Sequence, residues 1–383
     1  MKRICFLTDS IFSIGGVQRV TAVIAKELAK NCDVTIVTFD EPSSQDTTMY
    51  GLQEANISYR FLCYPKVNYW KWKALKVYSL LYKKVLPQTR PFSKLYTYSS
   101  FPSKLQQTLT AELQQGHYST IIGVHAPLAV RLAACRKQLK GVRLVGWIHN
   151  SYKALFGKGS TYIGPELHHY YEYMLEQLDQ IVVLSKDDAQ KYPFPTRVIY
   201  NPLTLQPGQP STGQSKKFLA VGRFSHRHKG FDLLIDAFHL FAQHNHEWTL
   251  DIVGEGPEEA LYQQKIEIYH LEKRIHLHPF TNNIQRYYSN AQIYVLSSRW
   301  EGMPLVLMEA MSHGLPIISS NLPIAMEIMG DTALYFSNGD TNTLASKLLE
   351  ATQINWLTKS EEAIKTAHHF DISEVMPLWQ EVL

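Results

Sequence analysis

The chain is poor in the features that mark several classes of protein. Its 383 residues include only four cysteines, none of them in C-x-x-C spacing: Cys5, Cys32, Cys63 and Cys135. This argues against a disulfide framework and against a cysteine zinc site. No uncharged apolar run approaches the ~20 residues of a membrane-spanning helix, and the N-terminal MKRICFLTDS reaches Asp9 too early for a signal peptide. We therefore expect a cytoplasmic protein with buried thiols.

Acidic residues are missing from one long stretch. Residues 55–111 contain no Asp or Glu but ten basic residues, Arg60, Lys66, Lys71, Lys73, Lys76, Lys83, Lys84, Arg90, Lys94 and Lys104, with aromatic residues between them. Basic, aromatic and amphipathic character together is typical of a segment that lies on an anionic membrane surface. A solvated basic face remains the alternative. Nucleic-acid binding is disfavoured because no reading motif accompanies the charge.

The charge asymmetry extends to the two halves of the chain. Residues 1–200 carry 25 Lys and Arg against 14 Asp and Glu, whereas residues 201–383 carry 13 against 20. Two halves of opposite charge are expected to face different partners.

Apolar runs of strand length alternate with helical patterns along most of the chain. The first half contains ICFLTD, DVTIVTF, ISYRFL, STIIGVH, RLVGWIH and QIVVLS, and the second contains KFLAVGRF, TLDIVGEG, RIHLHPF, QIYVLSS, LPIISS and ALYF. This alternation predicts an α/β protein with two Rossmann-like, doubly wound parallel sheets. Ligands of such sheets bind beyond the carboxyl ends of the strands, so we expect a site in a central cleft that the two domains face.

The domain boundary is expected where Pro, Gly, Ser and Gln cluster. We predict an N-terminal domain at 1–200, a linker at 201–216, a C-terminal domain at 217–370 and a final helix at 371–383. The final helix either caps its own domain or crosses back to the first.

Two glycines follow the first predicted strand and begin an amphipathic helix. Gly15 and Gly16 would let a ligand approach the backbone, and the free N–H groups of the helix start attract anions. The spacing is not G-x-G-x-x-G. A tight turn without a ligand would use the same residues.

Two permanent cations flank the turn after KFLAVGRF. Arg223 ends the predicted strand and Lys229 directly precedes a helix. Such a pair suits a diphosphate, because Arg offers a fork of donors and Lys a point charge. A solvated basic turn is the alternative, and His226 and His228 between the cations are expected to be exposed.

The segment SRWEGMPLVLMEAMSHG places Glu301 in a turn and Glu309, eight positions later, inside a helix that begins at Pro304 and ends at Gly314. Eight helical residues span about 12 Å, beyond the roughly 5 to 9.5 Å between the carboxylates of glycosidases. The two glutamates are therefore predicted to contact different parts of one extended ligand. Glu309 has mainly apolar neighbours in the sequence, and a carboxylate in such surroundings needs a partner.

These motifs together resemble the retaining glycosyltransferases of family four, which have the GT-B fold. SRWEGMPLVLMEAMSHGLPIISS carries the family's pattern of a glutamate, seven residues and a second glutamate, and AVGRFSHRHKGFDLLIDAF, DIVGEGPEE, GGVQRV and VIYNPL match further segments. The chain departs from many members at Pro304, where they have a second glycine. Met303 and Pro304 narrow this loop, and we expect them to influence the choice of sugar.

The resemblance implies a role for each matching residue. Arg223 and Lys229 would hold the donor's diphosphate, Glu309 the ribose hydroxyls and Glu301 the transferred sugar. The backbone of Gly302, Met303, Pro304 and Leu305 would lie beside the sugar and phosphates, and His149 in WIHN would reach them from the N-terminal domain. His125 in GVHAP is a second strand-end histidine, and a structural role is the favoured interpretation.

The resemblance also implies front-face attack, in which the leaving phosphate oxygen takes the acceptor's proton. Metal-dependent transferases commonly use Asp-x-Asp, which this sequence lacks, so metal-independent turnover without a cofactor is predicted, with Arg223, Lys229 and a helix N-terminus stabilising the leaving group. The expected donor is a UDP-linked hexose or N-acetylhexosamine. The expected acceptor is a glycan or a lipid-linked saccharide in surface polysaccharide synthesis, at the inner face of the cell membrane. A nucleotide-sugar epimerase and a non-catalytic nucleotide-sugar-binding protein remain alternatives.

Overall fold

The chain folds into two compact units. A computed structural model describes residues 1–158, 160, 162–205, 208–224 and 228–383. One unit comprises Met1–Pro202 together with Val375–Leu383, and the other comprises Leu203–Glu374. Each unit contains its own parallel sheet.

The N-terminal unit is built on a seven-stranded parallel sheet in the order β3-β2-β1-β4-β5-β6-β7. Its strands are β1 (Arg3–Thr8), β2 (Asp33–Thr38), β3 (Ile57–Phe61), β4 (Thr120–Val124), β5 (Arg143–Trp147), β6 (Gln180–Val183) and β7 (Arg197–Val198). Its helices are α1 (Gly16–Ala29), α2 (Tyr69–Lys84), α3 (Arg90–Ser100), α4 (Ser103–Gln115), α5 (Ala126–Ala134), α6 (Tyr152–Phe156), α7 (His168–Leu175) and α8 (Lys186–Ala189). The six predicted strands are confirmed, whereas β7 was missed because it has only two residues.

The C-terminal unit is built on a six-stranded parallel sheet in the order β10-β9-β8-β11-β12-β13. Its strands are β8 (Lys217–Val221), β9 (Thr249–Val253), β10 (Ile275–His278), β11 (Ile293–Leu296), β12 (Ile317–Ser320) and β13 (Leu334–Phe336). Its helices are α9 (Phe231–Ala242), α10 (Glu259–Ile268), α11 (Gln285–Asn290), α12 (Leu305–Ser312), α13 (Pro323–Met329), α14 (Thr341–Ala351) and α15 (Trp356–His368). All six strands predicted in this half are confirmed.

Both sheets are covered by helices, which is why their strands are nearly continuous apolar runs. In the N-terminal unit Cys5 and Leu7 of β1 are fully buried. Phe218 of β8 is likewise buried and packs on Phe241 and Trp248, at ring-centroid distances of 5.4 and 4.6 Å. The units therefore have separate hydrophobic cores.

The last helix of the chain, α16 (Ile372–Val382), contributes to the N-terminal unit from Val375 onward. Trp379 is fully buried and packs edge-on against Trp147 of β5 at 4.8 Å. The Thr120 hydroxyl donates to the Leu383 carbonyl at 3.1 Å. Of the two alternatives for this helix, the structure has the one in which it returns to the first domain.

The segment predicted as a linker, 201–216, is built into the C-terminal unit from Leu203 onward. The Leu203 N–H donates to the Phe370 carbonyl at 2.7 Å, and the Ser211 N–H donates to the His313 carbonyl at 3.0 Å. These bonds satisfy backbone groups that a free linker would leave to water. Among the described residues, no helix is both long enough and apolar enough to cross a membrane.

Candidate functional site

Most of the predicted site residues follow strands at the point where the strand order of each sheet reverses. In the C-terminal sheet the reversal falls between β8 and β11, which precede Arg223 and Glu301 respectively. In the N-terminal sheet it falls between β1 and β4, which precede Gly15 and His125. Ligands of open parallel sheets bind at this point because the connections diverge there and leave a crevice.

Lys229 and Glu301 form a buried ion pair beside the end of β8. The Lys229 Nζ lies 2.7 Å from the Glu301 Oε1, and the two side chains are 16% and 7% exposed. The Ser298 hydroxyl donates to the same oxygen at 2.6 Å. Two segments 72 positions apart in the chain therefore meet at one carboxylate.

The Glu301 carboxylate remains ionised in spite of its burial. Burial alone would raise the pKa of Glu301, but the charges of Lys229 and His228 and the hydrogen bonds from Lys229 and Ser298 outweigh it and hold the pKa below its usual value. Lys229 thus has a fixed counterion and still has two further N–H donors for a ligand.

The turn that carries Lys229 depends on two glycines. Gly230 has a φ of 65°, and a Cβ there would lie 2.1 Å from the Ser297 carbonyl oxygen. A Cβ on Gly222 would lie 3.0 Å from side-chain carbons of Lys229. The Ser297 hydroxyl also donates to the Lys229 carbonyl at 2.7 Å. The backbone after β8 is thereby fixed against the backbone after β11.

The two predicted cations differ in their surroundings, since Arg223 is exposed whereas Lys229 is largely buried. The expectation of an exposed His228 is wrong. Its ring stacks on Trp300 at 4.8 Å and bonds to the Trp300 carbonyl at 2.5 Å. Burial lowers the pKa of His228. His226 lies outside the described residues.

Glu309 is buried inside α12, with only 2% of its surface exposed. The Tyr288 hydroxyl donates to its Oε2 at 3.0 Å, and the Thr204 hydroxyl donates to its Oε1 at 3.4 Å. The partners that the apolar sequence context demanded are therefore a tyrosine of α11 and a threonine from the segment predicted as a linker. The described partners of Glu309 differ from those of Glu301.

The fully buried His313 fixes the end of α12. The Gly208 N–H donates to its Nε2 at 3.1 Å, so its Nδ1 carries the proton and donates to the Glu309 carbonyl at 2.7 Å. Burial lowers the pKa of His313, which keeps the ring in this neutral tautomer. Gly314 follows with a φ of 72° and ends the helix as predicted.

The loop Gly302–Leu305 leads into α12. Met303 is 7% exposed and Pro304 is also buried. Pro304 was predicted inside the first turn but is the N-cap residue, with extended backbone angles, and the helix begins at Leu305. A proline at the cap removes one N–H, and the N–H groups of Leu305 and Val306 that follow belong to the first turn, where a helix has no internal acceptors.

In the N-terminal unit, Gly15 and Gly16 lie at the start of α1 as predicted. The Gly15 N–H donates to the Tyr50 hydroxyl at 3.0 Å, and that hydroxyl donates to the Ser13 carbonyl at 2.8 Å. Sequence reasoning missed Asp40, two residues beyond β2, which accepts the Ile11 N–H at 2.8 Å. The loop before α1 is thus held in place by side chains from other segments.

The two strand-end histidines of this unit lie together, with ring centroids 5.2 Å apart. His149 is 7% exposed, and its Nε2 is buried without a hydrogen-bond partner in the part of the chain that the structure describes. His125 has a φ of 74°, an uncommon and strained value for a residue with a Cβ. Burial lowers the pKa of both rings, so both are neutral at pH 7.

Five of the ten basic residues of the stretch 55–111 lie on α2, which is mainly exposed. Trp70, Val77 and Leu81 are 73%, 59% and 44% exposed, whereas Tyr82 is fully buried. At 100° per residue the three exposed side chains lie within about 40° of one another, and Tyr82 lies roughly 100° to 140° around the helix from them. The helix therefore has a second apolar stripe, which faces away from its own unit.

Comparison with known proteins places these features in a family. A model described as Glycosyltransferase Family 4 matches residues 14–206, about half of the chain, and one described as Glycosyl transferases group 1 matches residues 204–369. The chain belongs to glycosyltransferase family four.

Individual proteins to which this glycosyltransferase is similar are also named as glycosyltransferases. An uncharacterized glycosyltransferase of Haemophilus influenzae is 29% identical over 84% of this chain and 81% of its own. The amylovoran biosynthesis glycosyltransferase AmsD of Erwinia amylovora is 32% identical over 40% of this chain and 41% of its own. The fold is also similar to the structure of HepE of Anabaena in complex with UDP. The superposition has a TM-score of 0.72 and covers 100% of this chain and 98% of HepE, with a sequence identity of 20%. The predicted GT-B fold of two parallel-sheet domains is confirmed.

Several residues of the candidate site were not identified from sequence. Thr204 and Tyr288, which contact Glu309, lie outside the quoted motifs. Ser298 begins the segment that carries both glutamates, but its contact with Glu301 was not predicted. In the described ranges, no three His, Cys, Asp or Glu side chains form a group that could hold a metal ion.

Proposed function

We propose that this glycosyltransferase transfers a hexose or N-acetylhexosamine, with retention of anomeric configuration, from a UDP-linked donor to a glycan or lipid-linked acceptor in surface polysaccharide synthesis. The observation that carries the proposal is the buried Lys229–Glu301 pair at the reversal point of the C-terminal sheet, where Arg223 also follows β8. The relative AmsD supports the polysaccharide class by its name, and the HepE complex supports UDP.

The donor's diphosphate is assigned to Arg223 and Lys229. Lys229 is held by Glu301 at 2.7 Å, so its position is set before the donor arrives, and preorganised charges avoid the cost of reorganisation during the reaction. Arg223 is exposed and supplies a second, bidentate set of donors. The first-turn N–H groups of α12 add a favourable helix dipole.

Glu309 is assigned to the ribose and Glu301 to the transferred sugar. Thr204 holds Glu309 Oε1 by a long bond of 3.4 Å, which a ribose hydroxyl can replace, while the 3.0 Å bond from Tyr288 keeps the carboxylate oriented. The backbone of Gly302–Leu305 would lie beside the sugar, with Met303 and Pro304 limiting its size. The Nε2 of His149, which has no hydrogen-bond partner among the described residues, is assigned to the donor as well.

The proposed reaction needs no protein base. The bond between the sugar C1 and the diphosphate oxygen breaks, and the acceptor oxygen bonds to C1 on the same face. The acceptor's proton passes to the leaving phosphate oxygen, which gives a nucleoside diphosphate and a glycoside. The charge that develops on the leaving oxygen is stabilised by Lys229, Arg223 and the helix N-terminus.

The turnover is proposed to be independent of metal ions and of any cofactor. Two cations beside the predicted diphosphate position supply the neutralisation that Asp-x-Asp enzymes obtain from a divalent ion. Dialysis against a chelator should leave the rate unchanged. Loss of activity that magnesium or manganese restores would contradict this part of the proposal.

A membrane-bound acceptor is proposed because of α2. The stripe of Trp70, Val77 and Leu81 is flanked by lysines, and the Lys73 ammonium lies 4.8 Å from the Tyr69 ring and 5.5 Å from the Trp70 ring. An apolar stripe with cationic flanks is the pattern of a helix that lies in an anionic interface. Such a helix would keep the protein at the membrane surface, where lipid-linked acceptors are.

The proposal is tested by a screen of UDP-glucose, UDP-galactose, UDP-N-acetylglucosamine and GDP-mannose for release of nucleoside diphosphate, followed by lipid extracts as acceptors. NMR of the product should show the anomeric configuration of the donor. Conversion of one sugar nucleotide into another without acceptor would identify an epimerase instead. Binding without any release would identify a non-catalytic protein.

A further inference from the structure

A second concave surface lies on the N-terminal unit, away from its predicted site residues. It is a groove of about 530 Å³, and α4 forms one wall with the side chains of Ser103, Gln106, Thr110 and Gln114. These positions recur at intervals of three and four and so share one helix face. The opposite walls come from α3, from the end of α5 and from the end of α7.

The lining of this groove has an unusual chemistry. It includes five glutamines, Gln106, Gln107, Gln114, Gln138 and Gln177, two tyrosines, Tyr98 and Tyr173, and the cations Lys94, Arg136 and Lys137, but no carboxylate. A carboxamide both donates and accepts hydrogen bonds, as a sugar hydroxyl does. Tyrosine rings add apolar faces next to the polar groups.

Three of the glutamines are held in place by the backbone. The Gln114 amide donates to the Gln138 carbonyl at 3.0 Å, the Gln177 amide donates to the Tyr173 carbonyl at 3.2 Å, and the Gln106 amide donates to the Ala134 carbonyl. Each bond uses the amide nitrogen and leaves the side-chain oxygen as an acceptor. Side chains fixed in this way lose less entropy when a ligand binds.

The charge of the groove favours an anionic ligand. Arg136 is paired with Asp179 at 2.5 Å, so its charge is compensated. Lys94 and Lys137 are exposed at the lining and have no acidic residue beside them in it. The groove is therefore cationic, and its lining combines hydrogen-bond donors and acceptors with apolar surface from alanine, methionine and tyrosine side chains.

The groove runs along α4 from Ser103 to Gln114, and one end of it lies away from the predicted site residues of this unit. The ends of α4, α5 and α7 precede β4, β5 and β6 respectively, so the groove reaches the amino edge of the sheet. Gly15, His125 and His149 follow strands and lie at the carboxyl edge. A strand of five residues separates the edges by about 17 Å.

We propose that this groove binds a segment of an acidic oligosaccharide remote from the sugar that reacts. The proposal rests on the proposed function for its ligand class, since an enzyme that extends a glycan handles a chain longer than its reaction site. Hydroxyl groups bond to the fixed glutamines, and carboxylate or phosphate substituents pair with Lys94 and Lys137.

Isothermal titration of the full-length protein with a hexamer of galacturonic acid and with maltohexaose tests the proposal. The acidic hexamer should bind more tightly than the neutral one. The Gln114→Ala/Gln177→Ala variant should bind the acidic hexamer about tenfold more weakly, since two fixed side chains lose their hydrogen bonds to it. Lys94→Ala/Lys137→Ala should remove the preference for the acidic hexamer.

The matched control is Gln53→Ala/Gln190→Ala/Lys140→Ala, which changes exposed residues of the same types outside the groove and should bind as the wild type does. Equal binding of the two hexamers, no binding of either, or unaltered binding by the groove variants would overturn the proposal. Release of nucleoside diphosphate is measured in the same variants and should be unchanged. Loss of oligosaccharide binding and loss of the transfer reaction are thus measured separately, so a failed groove proposal can be told from a failed proposed function.

Discussion

The two units differ in how many hydrogen-bond partners the polar residues of their candidate sites have. In the C-terminal unit the Glu301 carboxylate is bonded to Lys229 and Ser298, and the Glu309 carboxylate is bonded to Tyr288 and Thr204. In the N-terminal unit the buried His149 Nε2 has no partner among the described residues, and His125 has a strained backbone. We interpret the first arrangement as a binding site set before its ligand arrives, and the second as one that a ligand completes.

The largest effect should follow from breaking the pair in the C-terminal unit. Lys229→Ala should lower donor turnover by roughly 10²- to 10³-fold, the usual result of removing one stabilising donor. It should also reduce the free energy of unfolding by about 3 kcal/mol, because Glu301 would be left buried without its cation. Donor hydrolysis and urea unfolding measure the two effects.

A double variant separates the two roles of Lys229. Lys229→Ala/Glu301→Gln should recover much of the lost stability, since no unpaired charge is buried, but it should not recover turnover. Lys216→Ala is the control, because Lys216 forms an exposed pair with Glu247 at 2.9 Å. Turnover at the wild-type rate in Lys229→Ala would remove this lysine from the site.

Membrane binding should distinguish the basic N-terminal unit from the acidic half of the chain. Replacing Lys71, Lys73, Lys83 and Lys84 by Gln should weaken binding to vesicles of anionic lipid at low salt by about 1000-fold, at roughly 1 kcal/mol for each lysine. Co-sedimentation measures the affinity. Trp70→Ser/Leu81→Ser should weaken binding even at a salt concentration that screens the charges, because the apolar stripe contributes through the hydrophobic effect, which salt does not screen.

The control for the charge variant removes the same number of charges elsewhere in the same unit, at the exposed Lys2, Lys140, Lys153 and Lys158. Equal weakening by both variants would mean that net charge, and not α2, governs the interaction. Failure of the wild type to bind anionic vesicles would refute the membrane proposal while leaving the donor site untouched.

In the C-terminal unit, Glu309→Gln should lower nucleotide binding by less than Lys229→Ala lowers turnover. The amide keeps the shape and can still accept from Tyr288, but it offers the ribose hydroxyls a neutral acceptor in place of a charged one. We expect nucleotide affinity to fall by about tenfold, measured by titration with UDP. Unchanged affinity would show that the ribose lies elsewhere.

The smallest effect concerns the pH dependence of stability in the N-terminal unit. Burial lowers the folded-state pKa of His149 far below 6.5, so below pH 6.5 the unfolded chain binds a proton that the folded chain does not. Stability must therefore fall as the pH falls through 6.5. Thermal unfolding at pH 7.5 and 5.5 should show a smaller loss in His149→Phe than in the wild type; an equal loss would indicate that the ring is accessible to protons.

Sequence patterns predicted the strands because buried parallel strands are short apolar runs with polar ends. They also located Arg223, Lys229 and both glutamates, since each stands beside a recognisable strand end or helix start. They could not pair Lys229 with Glu301, because that contact depends on β8 and β11 being neighbours in the sheet.

The remaining differences arise from side chains that act across long separations in the chain. Thr204 was assigned to a linker, although its hydroxyl reaches Glu309, 105 positions later. His228 was expected in water because histidine is polar, but the Trp300 ring covers it. The groove along α4 is formed by four helices, and its glutamines carry no signal in the sequence.

The central claim is that the C-terminal unit binds the diphosphate through Lys229 and Arg223 and the ribose through Glu309. It is tested most directly by the ratio of the dissociation constants of uridine and UDP in the wild type, Lys229→Ala and Glu309→Gln. We predict that UDP binds the wild type far more tightly than uridine, that Lys229→Ala largely abolishes this difference, and that Glu309→Gln weakens both ligands equally. An unchanged ratio in Lys229→Ala would contradict the claim.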